Sequence, residues 1–222
     1  AEPYRILPYD ATGLTAPEPR VQGLFPVRDI RFSFYADRKL FIHNMGHCTC
    51  AYLGKLLGAA FIWEAIAEPR VHSVVRAAML ESALALSVVY GAGIGALGLH
   101  VDDLLARFAN RALGDTVERV GRDPERKLGA DDRFIGAYAL ARRAGTPIEY
   151  LSLALAVGAR RLASEDGWDE ARALAHVDAH LFPGGSPARD LFGLQFDSLA
   201  HGLDWEGQQA LIDASPLRGT VA

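Results

Sequence analysis

Helical periodicity interrupted by glycine and proline is the feature that most restricts the fold of this 222-residue chain. After Val27, apolar residues recur at spacings typical of one helix face. The predicted helices are a first stretch that follows Val27 and further helices over about 70–90, 101–111, 132–143, 148–163, 168–181 and 204–214. Half of the residues are hydrophobic, so the chain can bury a sizeable core. The sequence therefore predicts an all-α, multi-helix domain.

The first 26 residues form a different kind of segment. They contain five prolines, which favour extended and loop structure, with one short strand predicted through Tyr4–Leu7. We divide the chain into an irregular arm at residues 1–26 and a helical domain at residues 27–222. The arm is interpreted as a linker from a preceding domain, and the chain, which starts at Ala1, as a possible fragment or processed product.

Composition excludes several functional classes. The net charge of −4 gives no sign of a nucleic-acid or membrane surface, and neither partner is expected. The longest stretch without charged residues, Ser82–Val101, holds four glycines and a histidine, which is unfavourable for a membrane helix. Two cysteines, Cys48 and Cys50, are too close for an ordinary disulfide. Together with the lack of a signal-peptide pattern, they predict a cytoplasmic protein.

The strongest chemical signal lies between Lys39 and Cys50. These twelve residues contain a lysine, an asparagine, two histidines and two cysteines, with apolar flanks. A lysine, an amide and an imidazole that converge suit proton transfer from an alcohol. On an ideal α-helix, Asn44 and His47 would point about 140° and 80° away from Lys39. The alternative is a partly buried helix with an extended Lys39 and hydrogen-bonded Asn44 and His47.

The pattern Lys39-x4-Asn44-x2-His47, continued through Gly46-His47-x4-Tyr52-Leu53-Gly54, resembles the signature of the polyol-specific long-chain dehydrogenases. The mannitol-1-phosphate 5-dehydrogenase branch is the most similar. Further matching segments, in family order, include Glu2-Pro3-Tyr4, Glu81-Ser82, Arg107-Phe108-x-Asn110 and Arg119–Leu128. The resemblance covers roughly residues 1–165. It implies a substrate domain like the carboxy-terminal domain of 6-phosphogluconate dehydrogenase, without the Rossmann domain that holds the cofactor in the family.

The resemblance also implies an activity. It suggests NAD-linked interconversion of a sugar-alcohol phosphate and a ketose phosphate, of the mannitol 1-phosphate to fructose 6-phosphate type. Lys39 would be the general base, and Asn44 and His47 would bind the reacting oxygen. In this family an arginine and a lysine eight residues apart help to bind substrate, and Arg119 and Lys127 match them. Arg126 is a weaker candidate for a phosphate contact, and an N-terminal Rossmann domain, in cis or in trans, is the implied partner.

Three other interpretations remain open at this stage. The chain is alternatively a sugar-phosphate-binding or interaction module without catalysis. His43, His47 and Cys48 could hold a metal, although the resembled family uses none and an apolar residue is usual at position 43. Gly93-Ile94-Gly95-Ala96-Leu97-Gly98 matches a nucleotide-binding pattern, but no second parallel strand is predicted after it.

Overall fold

The computed structural model describes residues 7–217, most of which are helical. Two short strands come first, β1 (Leu7–Asp10) and β2 (Leu24–Val27). The helical elements are α1 (Ser33–Asp37), a π-helix (Arg38–Asn44), α2 (Met45–Leu56), α3 (Ile62–Ala67), α4 (Pro69–Tyr90), α5 (Ile94–Phe108), α6 (Val117–Gly121), α7 (Pro124–Lys127), α8 (Ile135–Ala144), α9 (Glu149–Ala163), α10 (Glu170–Leu181), α11 (Pro187–Ser198) and α12 (Trp205–Asp213). Single 3₁₀ turns occupy Arg111–Leu113 and Leu199–His201. The predicted all-α class is confirmed.

Helix α4 is the centre of the bundle. The Glu68 side chain accepts a hydrogen bond from the backbone N–H of Arg70 at 3.2 Å, and Pro69 takes the first helical position. The helix stops at Gly91, whose backbone is left-handed (φ 71°). Between these ends, α4 packs against α2, α5, α8 and α9. The helix predicted over about 70–90 is therefore confirmed. The sequence could predict it because the signals at both of its ends are local.

The length and apolar composition of α4 alone would also allow it to cross a membrane. In this fold, however, Val71, Val75 and Ala78 are fully buried against neighbouring helices. Such packing is typical of the core helix of a bundle.

The amino-terminal arm contains more regular structure than predicted. β1 and β2 pair in parallel, with Leu7 opposite Leu24 and Asp10 opposite Val27. The predicted boundary between residues 26 and 27 falls inside β2, and regular helix begins only at Ser33. The strand predicted through Tyr4–Leu7 falls mainly on residues 1–6, which lie outside the described part of the chain.

Two later helices differ from the prediction. The helix predicted over about 101–111 starts earlier, since α5 begins at Ile94 and includes Gly95 and Gly98. The glycine pattern there joins two helices, so the strand that a nucleotide-binding turn requires is not present before it. Helix α11 was missed, although its start signals are local: Ser186 caps the Arg189 N–H at 3.2 Å and Pro187 follows it.

A buried carboxyl group joins α4 to α9. Glu81 accepts hydrogen bonds from the backbone N–H groups of Tyr150 (3.1 Å) and Leu151 (2.8 Å) in the first turn of α9. These donors have no partner inside their own helix. Burial nevertheless raises the pKa of Glu81 to about 8, because it penalises the charged form more than these two bonds favour it.

We expect Glu81 to make stability depend on pH. Its pKa is about 8 in the folded chain and near 4.5 when unfolded, so the folded state holds the extra proton between these values. The contribution of Glu81 to the free energy of unfolding therefore falls as pH rises through this window. Relative to wild type, Glu81→Gln should become progressively more stable from about pH 5 to pH 8 in urea titrations. The surface variant Glu118→Gln is the control, and a pH-independent difference for Glu81→Gln would contradict this expectation.

A second prediction concerns the contact between α2 and α3. A Cβ atom on Gly54 would lie 2.6 Å from the Cβ of Ala65, which moves only with the α3 backbone. Gly54→Ala should therefore lower the free energy of unfolding by roughly 1–3 kcal/mol. Gly98→Ala in α5 is the matched control, since its Cβ would meet nothing within 4 Å. That variant should gain about 0.5–1 kcal/mol in chemical denaturation, and equal changes in both would refute the packing argument.

Candidate active site

The π-helix at Arg38–Asn44 organises the predicted catalytic residues. At its end, the backbone N–H of Met45 donates to the carbonyl of Leu40, five residues earlier. This bonding widens the turn, so residues five apart lie on the same side, whereas an α-helix separates them by about 140°. Lys39 and Asn44 have this spacing. The π-helix thus brings together two side chains that an ideal helix would have separated.

Packing against α8 supports this wider turn. The Phe41 ring lies against Gly136, where a Cβ atom would come within 2.7 Å of Phe41 Cε1. On the α2 side, Gly46 lets the chain approach Met79 of α4, whose sulfur would be 2.4 Å from a Cβ atom at position 46. The buried side of this segment is therefore held by α4 and α8, and its polar side is left for a ligand.

Three polar side chains lie along that open side. Lys39 is exposed, while His43 and Asn44 are half-buried. No residue within the range 7–217 forms a hydrogen bond or an ion pair with the Lys39 ammonium, the Asn44 amide or the His43 ring. The alternative prediction of a hydrogen-bonded Asn44 is therefore wrong within this range. Half-buried polar groups without partners are suited to binding a ligand.

His47 follows on the first turn of α2 and stacks on Phe108, the last residue of α5. The two rings are 4.7 Å apart and inclined by only 14°. His43 completes the group, with its ring 5.8 Å from His47 and 5.7 Å from Phe108. Phe108 thus provides an apolar surface against which both imidazoles pack.

Asp115 connects His47 to the stretch of arginines and lysine from Arg119 to Arg133, which we call the basic segment. Its carboxylate lies 3.4 Å from His47 Nε2 and also forms an ion pair with Arg119. The loop that carries Asp115 is fixed to the start of α3, since Ile62 N–H donates to the Asp115 carbonyl at 2.9 Å. Thr116 then caps α6 through the Arg119 N–H at 3.1 Å. Arg119 is therefore placed beside the predicted catalytic imidazole.

The imidazoles of this region are neutral at physiological pH. Burial lowers the pKa of His47 to about 4, and the nearby cations Arg119, Arg133 and Lys127 act in the same direction against Asp115. Burial also lowers the pKa of His43 and of His100, on α5, to about 4, with Arg107 contributing to both. A neutral His47 can donate or accept a hydrogen bond at an alcohol oxygen without adding a charge.

The other two predicted substrate residues lie in different surroundings. Lys127 is buried, and its ammonium donates to the backbone carbonyls of Val120 (2.7 Å) and Arg122, at the end of α6. Arg126 is exposed and lies 3.3 Å from Asp132 and 3.9 Å from Asp123. Lys127 therefore fixes the segment that carries Arg119, and Arg126 faces carboxylates. The roles predicted for both in substrate binding remain predictions.

The metal alternative finds no support in this geometry. The Cys48 thiol is buried and points to the Val120 carbonyl at 3.9 Å, and burial raises its pKa. Within residues 7–217, no three His, Cys, Asp or Glu side chains converge to hold a metal ion. Cys48 is therefore a core residue and does not join His43 and His47 in a cluster.

The family of this chain is shown by its similarity to known proteins. Residues 32–181 match the family model described as the mannitol dehydrogenase C-terminal domain. The chain belongs to the mannitol dehydrogenase family. The matched range contains the π-helix, Phe108, Asp115 and the whole basic segment.

Two relatives extend this assignment. A mannitol-1-phosphate 5-dehydrogenase of Brevibacillus brevis is 35% identical over 155 residues, which is 70% of this chain and 40% of the relative. A solved structure of Pseudomonas fluorescens mannitol 2-dehydrogenase, in a ternary complex with NAD and D-mannitol, has a similar fold with a TM-score of 0.61. It is 21% identical, and the match covers 86% of this chain and 42% of that one. The chain thus spans about two fifths of the length of each relative.

The structure therefore brings Lys39, Asn44, His47 and Arg119 to one region, and places Lys127 behind it and Arg126 outside it. The sequence argument gave no role to Phe108, Asp115 or His100. Phe108 lies in a segment that resembles the family, and this resemblance could have identified it as a site residue. Asp115 and His100 are distant in sequence from the π-helix, and only the tertiary contacts bring them to the site.

The neutral histidines lead to a testable pH dependence. Between about pH 4 and pH 6.5 the unfolded chain binds more protons at His43, His47 and His100, so the free energy of unfolding should rise with pH across this window. Imidazole NMR signals of these residues should titrate near pH 4. Asp115→Asn should lower the pKa of His47 further and leave His100 unchanged, because Asp115 acts on His47 whereas His100 is affected by Arg38, Asp103 and Arg107. Titration of His47 near pH 6.5 would contradict its burial.

Proposed function

We propose that this chain is the substrate-binding and catalytic domain of an NAD-dependent sugar-alcohol phosphate dehydrogenase, of the mannitol 1-phosphate to fructose 6-phosphate type. The observation that supports this proposal most directly is the row of unpartnered polar groups on the π-helix beside a neutral imidazole. The 35% identity to a mannitol-1-phosphate 5-dehydrogenase supports the phosphorylated substrate. Two buried free thiols, Cys48 and Cys50, support a reducing, cytoplasmic setting.

In the proposed reaction, Lys39 is the general base. The neutral amine of Lys39 takes the proton of the substrate hydroxyl as the carbon–hydrogen bond breaks, and the protonated form returns it in the reverse direction. The Asn44 amide and the His47 imidazole hydrogen-bond the reacting oxygen, where negative charge develops. Asp115 keeps the His47 ring and the Arg119 guanidinium on the same side of the site.

The cofactor must be held elsewhere. Residues 7–217 contain no strand–glycine turn–helix unit, and their glycine-rich pattern joins two helices. These residues therefore do not fit a dinucleotide site, and we propose that a Rossmann domain, in cis or in trans, binds NAD. When bound there, NAD supplies the hydride acceptor.

Substitution of Lys39 tests the proposal. With a Rossmann domain supplied in cis or in trans, Lys39→Ala should lower kcat for mannitol 1-phosphate oxidation by about 10²–10⁴-fold, because the proton has no acceptor. Lys55→Ala is the matched control, since within residues 7–217 this exposed lysine on α2 pairs with Glu118 at the surface. NADH absorbance gives the rate, and calorimetry should show that Lys39→Ala still binds substrate.

Two outcomes would count against the proposal. Equal rates in Lys39→Ala and Lys55→Ala would exclude Lys39 as the base. Binding of mannitol 1-phosphate without turnover, in every pairing with a Rossmann domain, would favour a non-catalytic sugar-phosphate-binding module.

A further inference from the structure

The proposed reaction leaves His43 without a role, although its ring lies in the candidate site. The residue belongs to the π-helix, between Lys39 and Asn44 in sequence, and its side chain is half-buried. The centre of its ring is 5.8 Å from that of His47 and 5.7 Å from that of Phe108. His43 therefore lies beside the imidazole that is proposed to bind the reacting oxygen.

Phe108 packs against both imidazoles. Its ring is nearly parallel to that of His47, at an angle of 14°, and is inclined to that of His43 by 36°. These contacts restrict the orientation of the His43 ring. A phenyl ring offers no conventional hydrogen-bond partner, so this packing satisfies neither nitrogen of His43.

The ring nitrogens of His43 have no hydrogen-bond partner within residues 7–217. Burial lowers the pKa of His43 to about 4, so at neutral pH the ring carries one N–H donor and one acceptor nitrogen. Two histidines outside the site differ in this respect. A ring nitrogen of His176 lies 2.8 Å from the Leu128 carbonyl, and one of His180 lies 2.7 Å from the His176 carbonyl. A half-buried donor and acceptor left unpaired indicate that a ligand supplies the partner.

The reacting hydroxyl of the substrate leaves no position for His43. A hydroxyl group has one donor and two acceptor positions. In the proposed reaction, Lys39 takes the proton, and Asn44 and His47 occupy the two acceptor positions. A polyol, however, carries further hydroxyl groups on the carbons next to the reacting one. Two imidazoles with centres 5.8 Å apart can each reach one of two neighbouring oxygens through a hydrogen bond of about 2.8 Å.

We propose that His43 is a substrate-binding residue, which hydrogen-bonds a hydroxyl group on a carbon next to the reacting carbon and so selects polyols that carry this hydroxyl. The inference rests on the proposed function and names a residue that determines its specificity. His43 exchanges no proton with the substrate in this role. Its loss removes one substrate contact and leaves the three partners of the reacting oxygen in place.

Deoxy analogues of the substrate test this contact. The chain is assembled with a Rossmann domain, and mannitol 1-phosphate is compared with the two analogues that each lack one of the hydroxyls next to the reacting carbon. For one analogue, the wild-type kcat/KM should be about 10–100-fold lower, because a His43 nitrogen stays unpaired. His43→Leu should lower kcat/KM for mannitol 1-phosphate by a similar factor and change that for this analogue little.

A purely structural role for His43 predicts a different result. If His43→Leu lowers kcat/KM equally for mannitol 1-phosphate and for both analogues, the ring only supports His47 and the proposal is wrong. His176→Leu is the matched control, since His176 is also half-buried and its ring lies 5.6 Å from that of Trp168. That variant should lose stability in urea titrations and keep the wild-type preference among the three substrates.

NMR signals of the ring nitrogens give a second measurement, which needs no variant at position 43 to fold. In the assembled wild-type protein, mannitol 1-phosphate should shift the signals of both His43 and His47. The analogue that lacks the selected hydroxyl should shift the His47 signals and leave those of His43 nearly unchanged. A shift of His47 without a shift of His43 on binding mannitol 1-phosphate would overturn the proposal.

Failure of this inference is distinguishable from failure of the proposed function. If turnover is lost in Lys39→Ala and the substrate preference is unchanged in His43→Leu, the base stands and the His43 contact is wrong. If Lys39→Ala and Lys55→Ala have equal rates, the proposed function fails, and the premise of this inference fails with it.

Discussion

The carboxyl group of Glu81 joins the two helices on which the bundle depends. It lies on α4, which contacts most of the other long helices, and it accepts two backbone N–H groups at the start of α9. A buried helix start without such acceptors would leave unpaired donors, which costs about 1–3 kcal/mol for each group. Because α4 also supports the π-helix and α2, the geometry of the candidate site follows from the position of α4.

The site itself depends on a local departure from α-helical geometry. The π-helix is held on its buried side by Phe41 against Gly136, and on its open side it aligns Lys39 with Asn44. An uninterrupted α-helix with the same sequence would point these side chains in different directions. The widened turn therefore has a chemical consequence, because it places an amine and an amide on the same side of the helix.

Electrostatics divides the site into two ends. Around His47, the cations Arg119, Arg133 and Lys127 oppose Asp115, and around His43 and His100, Arg107 is among the cations that lower the imidazole pKa, with Asp103 opposing them at His100. The imidazoles between them are neutral because burial opposes protonation and the surrounding cations add to that effect. In the proposed reaction, the amine of Lys39 exchanges the proton and the neutral rings orient hydroxyl groups.

The sequence alone was sufficient for the all-α class, for most of the long helices and for the family. Helix periodicity and the caps of α4 are local, and the Lys39–His47 spacing is a family signature. It was insufficient for the π-turn, which needs the packing of Phe41 on α8, and for the boundary at residue 26, which the β1–β2 pairing crosses. Lys127 is buried and bonded to backbone carbonyls, and Asp115 and His100 approach the site. Both features likewise arise from contacts between residues far apart in sequence. Their positions are set by how the helices pack, and local patterns carry no information about that packing.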